Sequence, residues 1–438
     1  MADQTQVQFR ALVADAMTHF QAGRLAEAET AYRAALALAP ADPLVTHNLG
    51  VAIAAQGRHR DAVGCFEEAL KRDPGIVSAH YNRAVALMRL GETWQAIKAF
   101  DRAAKLAPQH YEAHRALGLL WLSQGERGRA LDHLARTYEL RRGDDRTAVA
   151  RKSLTTATRH KLEHDAEQFL YLSQRTRDRL RFELLARNYR TVAQQVSHEM
   201  TALSEAQIDI LGDDYNTPIY LRASPEVAGC SVNERADRSA LISQFAEQGA
   251  IAVDDLLAPL ALDSLRRFLL ESTIWHDFSH IDGFVASYLE DGLACPLLLQ
   301  IADDLRGAFP DILGQHPLTQ AWAFKALKPT AAVDAHADDA AVSVNFWITP
   351  TDANLNPEEG GLLVCLAPPP DDWQINDYAA DRERIVTFLE QKTDKSLVVP
   401  YRENRAVLFR SRLFHHSDRP QFAAGYENHR INLTLLYG

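Results

Sequence analysis

Small and apolar residues return every 34 positions along the first third of the chain. Gly23, Gly57, Gly91 and Gly125 mark the step, and Ala28, Ala62, Ala96 and Ala130 keep it. Tyr32, Phe66 and Phe100, then Ala35, Ala69 and Ala103, run in register, and Pro40, Pro74 and Pro108 close the first three blocks. This pattern predicts helix pairs: glycine where two antiparallel helices turn, alanine where they approach, an aromatic in the gap, and proline where the second helix ends. One pair cannot bury its own apolar face, whereas four stacked pairs over residues 8–142 can, as a curved solenoid with a concave surface. The fourth block carries Leu134 for the aromatic, Thr137 for alanine and Arg142 for proline, which reads as an end cap or a junction.

These residues resemble the tetratricopeptide repeat family, whose period is 34. From about Thr147 to Ala206 the period is lost, yet Phe169, Leu172, Leu180 and Leu184 among helix formers predict further helices bridging the halves. The segment LGDDYNTPIYLRASPEVAG (211–229) gathers Gly, Pro, Asn and Asp and reads as an irregular connection, so a domain boundary is expected near it. Residues 143–235 are thus a helical connector and loop. Beyond them, residues 249–272 read as a short strand and a helix opened by Pro259. The runs AWAFKAL, AVSVNFWIT, GGLLVCLA, SLVVP, RAVLFRS and RINLTLLYG then predict a double-sheet jelly roll over 236–438. The fold class expected is α+β multidomain.

Length alone, 438 residues, predicts two or three domains. Charge narrows the partners: 47 Lys and Arg against 58 Asp and Glu give a net −11, which repels phosphate backbones. The one basic stretch, Arg151 to Arg190, holds ten Lys/Arg against five acids and reads as the wet face of helices. Cys65, Cys230, Cys295 and Cys365 lie far apart, so neither a zinc knuckle nor a disulfide framework is indicated. The first residues lack a signal-peptide layout and no apolar run reaches the roughly 20 residues of a membrane helix, so a cytoplasmic location is expected.

The candidate chemistry lies near the C-terminus. His336-Ala-Asp338 precedes the strand AVSVNFWIT, and His415 follows the strand AVLFRS. Two imidazoles and a carboxylate on one face of an octahedron leave three adjacent sites open, the arrangement that non-haem iron(II) oxygenases use. Over about residues 240–438 the sequence resembles the iron(II)/2-oxoglutarate dioxygenase superfamily in its double-stranded β-helix form. The matching pieces are HAD (336–338), the GG-L-V entry to a strand (360–364), NRAVLFRSRLFHHSD (404–418) and HRINLTLLYG (429–438).

The resemblance implies that His336, Asp338 and His415 hold iron and that Arg430 holds the distal carboxylate of 2-oxoglutarate, which its planar fork can grip bidentately. Asn432 and Thr434 share the Arg430 face by strand alternation. Asn432 stands where the family pattern has a hydroxyl residue, and Asn345 is a further candidate for that pocket if Trp347 points inward. Asp338 favours hydroxylation, since related halogenases lose this carboxylate. Among 17 histidines an H-x-D is expected about once by chance, and His280-Ile-Asp282 is a decoy; too few strands precede it. His415 is preferred over His416 by likeness to the family's F-H-x-[ST]-D pattern, and His429 is read as outside the barrel.

Asn48 and Asn82, 34 apart, stand where peptide-binding repeats of the family present asparagines to a ligand backbone; the alternative is that they satisfy neighbouring turns. A peptide or protein substrate recruited by the repeats is the leading expectation, hydroxylated at the expense of dioxygen and 2-oxoglutarate. The alternatives are a small-molecule hydroxylase that uses the repeats for assembly, and a non-catalytic adaptor with a relic barrel. The insert 367–393, with Trp373 and Tyr378, is a candidate lid.

Overall fold

In the computed structural model the described residues are 2–143, 154–233, 238–279, 283–328, 333–370, 372–373, 382–392 and 395–438. Two compact units divide the chain, Met1–Leu120 and Trp121–Gly438. The first is helical throughout: α1 (Ala2–Gln21), α2 (Leu25–Leu38), α3 (Pro43–Ala55), α4 (His59–Arg72), α5 (Val77–Arg89) and α6 (Thr93–Leu106), followed by most of α7 (Tyr111–Ser123). The 34-residue step is visible in its backbone. Gly23, Gly57 and Gly91 adopt φ of +73°, +79° and +73° between paired helices, a left-handed conformation that costs an L side chain about 1–2 kcal/mol. Ala28, Ala62 and Ala96 are fully buried, and Tyr32, Phe66 and Phe100 fill the space beside them.

The division falls inside the fourth helix pair. α8 (Arg127–Arg142) belongs to the second unit, and its substituted positions explain why. Arg142, where a proline would stand, is buried and forms two 2.9 Å hydrogen bonds with Asp291. The Tyr138 hydroxyl lies 2.7 Å from the His276 ring. The segment 211–229 is irregular but is no linker either. Its Ile219 and Tyr220 N–H groups donate to Thr273 Oγ1, and the Gln300 side chain bonds Val227 and Gly229.

The connector helices α9 (Arg159–Ser173) and α10 (Arg179–Ala193) pack through Phe169, Leu172, Phe182, Leu185 and Tyr189. Leu180 and Leu184, on the same helix, are 80% and 53% exposed. Two stripes of apolar residues compete on α10, and the one carrying the larger aromatics turns inward. The basic stretch is likewise not all solvated: Lys161 is buried against Asp165 one turn on.

The rest of the second unit is built on two antiparallel sheets. The larger joins β3 (Ala250–Val253), β4 (Phe284–Tyr288), β5 (Leu318–Ala326), β6 (Val342–Trp347), β9 (Ala406–Arg410) and β11 (Arg430–Tyr437) in the order β3-β9-β6-β11-β5-β4. The smaller is β10-β7-β8, from β7 (Leu362–Cys365), β8 (Ser396–Val399) and β10 (His415–Ser417). The remaining strands, β1 (Thr156–Ala157) and β2 (Thr201–Ala202), pair apart from both sheets. Val364, Leu362 and Val399 of the smaller sheet meet Trp347, Val407 and Phe409 of the larger in one buried cluster. On the opposite face of the larger sheet Lys325, fully buried, donates to Tyr426 and approaches His164 of α9, so the connector is a layer of this unit. Both faces of β11 are therefore covered, and all eight of its residues are buried.

Candidate metal centre

The segment before β6 runs along the edge of β10. His336 and His415 exchange backbone hydrogen bonds of 3.0 and 2.9 Å, and Asp338 N–H donates to the Ser411 carbonyl. This places His336, Asp338 and His415 together, with one candidate ligand atom from each within 4.8 Å of the others. His336 Nε2 lies 3.7 Å from Asp338 Oδ1, and His415 Nε2 lies 3.6 Å from Asp338 Oδ2.

Tautomers follow from the other ring nitrogens. His336 Nδ1 is 2.8 Å from the Asp334 carbonyl and His415 Nδ1 is 3.1 Å from that of Leu413. A carbonyl only accepts, so each Nδ1 carries a proton, and the neutral ring then offers the Nε2 lone pair to the centre. Burial, with the neighbouring His336 ring adding to it and Asp338 opposing, depresses the His415 pKa to about 4, so this ring is neutral at pH 7. Lone pairs facing a carboxylate repel unless a cation stands between them, and the donor set, two imidazoles and one carboxylate, suits a divalent first-row metal with open positions. The Asp338 side chain is 5% exposed and that of His336 42%, so the group opens on the His336 side.

Asp338 is itself held in place. Ser343 Oγ donates 2.6 Å to Asp338 Oδ2 and lies 2.8 Å from Ser411 Oγ. Neither serine was singled out from the sequence; the signal available was Ser343 standing two residues before Asn345 on the inward face of β6. His416, next to His415 and therefore on the other face, pairs across to Leu363 and stands outside the three-residue group. His429 points to Glu167 of α9 at 3.0 Å. His280, Asp282 and Tyr378 lie outside the described residues.

Arg430 lies deeper in the sandwich and is 2% exposed. It donates to the Gly360 carbonyl (2.8 Å), the Gly361 carbonyl (3.4 Å) and Asn432 Oδ1 (3.2 Å). The double glycine is needed there: a side chain on Gly361 would sit 1.9 Å from the Val399 carbonyl oxygen. Among the described residues no carboxylate lies within ion-pair distance of Arg430. Burial lowers its pKa to about 10, against the partial help of Tyr401 and Asp418. A buried guanidinium without a counter-ion is an anion site in waiting. Asn432 and Asn345 line the same interior, with Asn345 Nδ2 donating 3.1 Å to Thr434.

In the first unit, Asn48 Oδ1 is 3.0 Å from His47 Nδ1 and Asn82 Nδ2 is 3.1 Å from His47 Nε2. One imidazole thus ties the two asparagines into a ladder. In the second, Trp373 of the insert packs on Phe388 and Phe414.

Residues 14–63, 47–108 and 91–145 match the tetratricopeptide repeat family model, and the N-terminal part of the chain carries these repeats. The chain is similar to a MamA protein structure (20% identity, 44% of this chain and 92% of that one, TM-score 0.30). It is also similar to the first such domain of the human RPAP3 protein (21%, 28% and 94%, 0.26). A third likeness is to the Yersinia enterocolitica type III secretion chaperone SycD in complex with a peptide of the translocator YopD (19%, 26% and 93%, 0.26). No curated protein matches the chain. Among the described residues no helix is long and apolar enough to cross a membrane.

Proposed function

We propose that the second unit is a double-stranded β-helix and that the protein is an iron(II)- and 2-oxoglutarate-dependent dioxygenase, a hydroxylase. The observation that carries this is the convergence of His336, Asp338 and His415 on one point at the edge of the smaller sheet. The uncompensated Arg430 inside the same sandwich supports it. In this reading the three residues hold the metal, and bound iron with 2-oxoglutarate supplies the oxidising power that inserts oxygen into a substrate C–H bond. Arg430, with Asn432 and Asn345 as neighbours, anchors the distal carboxylate and so fixes how the co-substrate enters. Ser343 keeps the Asp338 carboxylate oriented, and the covered faces of the sheets exclude water from the interior.

The repeats supply the recruiting surface for a peptide or protein substrate. His47 takes one polar atom of each amide, leaving Asn48 Nδ2 and Asn82 Oδ1 for a bound chain's backbone. A second reading, a repeat adaptor with a relic barrel, is favoured by the family match to the repeats alone.

The deciding experiment adds iron(II) and then 2-oxoglutarate to the whole protein without oxygen. The expected result is a weak visible charge-transfer band that is absent from His336→Ala. No band in either protein would overturn the dioxygenase reading and leave the adaptor.

A further inference from the structure

We infer that the indole N–H of Trp347, helped by the Asn345 amide, completes with Arg430 a carboxylate seat inside the sandwich, and that its ligand is the metal-remote end of a dicarboxylate. This rests on the dioxygenase reading and deepens it, by assigning to the co-substrate pocket a donor that is not among the residues the family resemblance supplies.

Register puts the groups on one surface. Asn345 and Trp347 alternate along β6 and oppose Thr434 and Asn432 of β11, respectively four and two residues beyond Arg430 on the same face. Trp347 is fully buried and Asn345 is 8% exposed, yet Trp347 Nε1 and Asn345 Oδ1 have no hydrogen-bond partner. A buried polar atom left unmade is costly and uncommon, so two on adjacent inward positions call for an occupant. The Arg430 guanidinium carbon is 5.8 Å from the centre of the Trp347 rings, so the indole and the cation that lacks a counter-ion are neighbours inside the sandwich. Tyr401 does not compete, because its hydroxyl donates to the Thr349 carbonyl while its ring packs on Trp347 at 5.4 Å and holds the indole.

The occupant's chemistry follows from the donors. Arg430 has five N–H groups and places three, leaving two. Trp347 adds a donor that can never accept. With its amide rotated, Asn345 accepts from Thr434 through Oδ1 and turns Nδ2 inward, which satisfies both ends. Guanidinium, indole and amide N–H groups on one buried face select an anion with several acceptor oxygens. A carboxylate meets this, and a neutral group does not.

The test uses the whole protein loaded with manganese(II), which binds without turnover, and measures by calorimetry the affinities for metal, for 2-oxoglutarate and for pyruvate, which lacks the remote carboxylate. Trp347→Phe keeps an aromatic side chain and removes the N–H. It should leave manganese and pyruvate binding unchanged and weaken 2-oxoglutarate about 10- to 100-fold, the value of a hydrogen bond to a charged group. Without ligand the variant should melt lower than the wild type, because the smaller ring leaves a cavity where the indole packed, and it should gain less on adding 2-oxoglutarate. Should Trp347→Phe not fold, Asn345→Asp decides: a carboxylate placed in the seat should abolish 2-oxoglutarate binding and spare manganese. Wild type binding neither manganese nor 2-oxoglutarate would sink the dioxygenase reading. Wild type binding both, with Trp347→Phe (or, in its place, Asn345→Asp) equally tight, would overturn this inference alone.

Discussion

His336 and His415 each donate a main-chain N–H to the other's carbonyl, at 3.0 and 2.9 Å, and their ring centroids stand 4.3 Å apart. The spacing of the two imidazoles is thus set by backbone pairing across an edge, not by side-chain packing. Removing either ring should leave the edge intact, which makes side-chain substitutions clean probes of metal affinity.

Ser343→Ala deletes the donor to Asp338 Oδ2 without touching a candidate ligand. Loss of a partner that orients a ligand costs about 10- to 100-fold in metal affinity. Calorimetric titration with cobalt(II) should show that loss with an unchanged stoichiometry; undiminished affinity would remove Ser343 from the site.

The Arg142–Asp291 pair is buried at both ends. Burial pushes the Asp291 carboxyl up, and the Arg142 charge and its hydrogen bonds outweigh that and hold it below the usual carboxylate range. Arg142→Ala should cost about 3–5 kcal/mol in urea unfolding of the second unit, whereas Arg142→Met with Asp291→Leu should recover most of it. A double variant as weak as the single would show that the charges themselves are needed.

Acid should loosen the second unit at mild pH. His164, His276 and His415 are held below their ordinary value chiefly by burial. The unfolded chain, with histidine pKa about 6.5, binds more protons than the folded one as pH drops. The stability from keeping these rings neutral is therefore present above about 6.5 and lost as pH falls toward the His415 value of about 4. The urea midpoint of the metal-free protein followed from pH 8 to 4 should be flat and then decline; a flat profile down to pH 4 would mean the rings charge in place.

In the repeats one substitution should act in two directions. Gly57 has φ +79° with nothing within 4 Å of a built side chain, so Gly57→Ala meets only backbone strain, about 1–2 kcal/mol. Gly64 lies inside α4 with equally open space, and Gly64→Ala should stabilise by up to about 1 kcal/mol. Thermal melts followed by circular dichroism should move in opposite senses.

The repeats were legible because glycine, alanine and proline there answer to local backbone needs that every block shares. The candidate ligands could be picked out because HAD (336–338), FHHSD (414–418) and the last-strand Arg430 resemble a family pattern. What stayed hidden depends on register and tertiary competition. Ser343 and Trp347 gain their neighbours only when β6 is set against β9 and β11. Leu180 and Leu184 lost the interior to Phe182 and Tyr189 on the same helix. Lys161 and Asp165, a charge pair one turn apart, have the spacing of a solvated pair and differ only in what covers them.

The division of the chain falls within a repeat, and the Arg142–Asp291 pair ties the last helix of that repeat into the second unit. The array is consequently not an exchangeable cassette. A graft that supplies a standard final repeat, with proline in place of Arg142, would strand the Asp291 carboxylate in the interior of the second unit. Any replacement array must be spliced upstream of Trp121 and must keep this protein's own last helix.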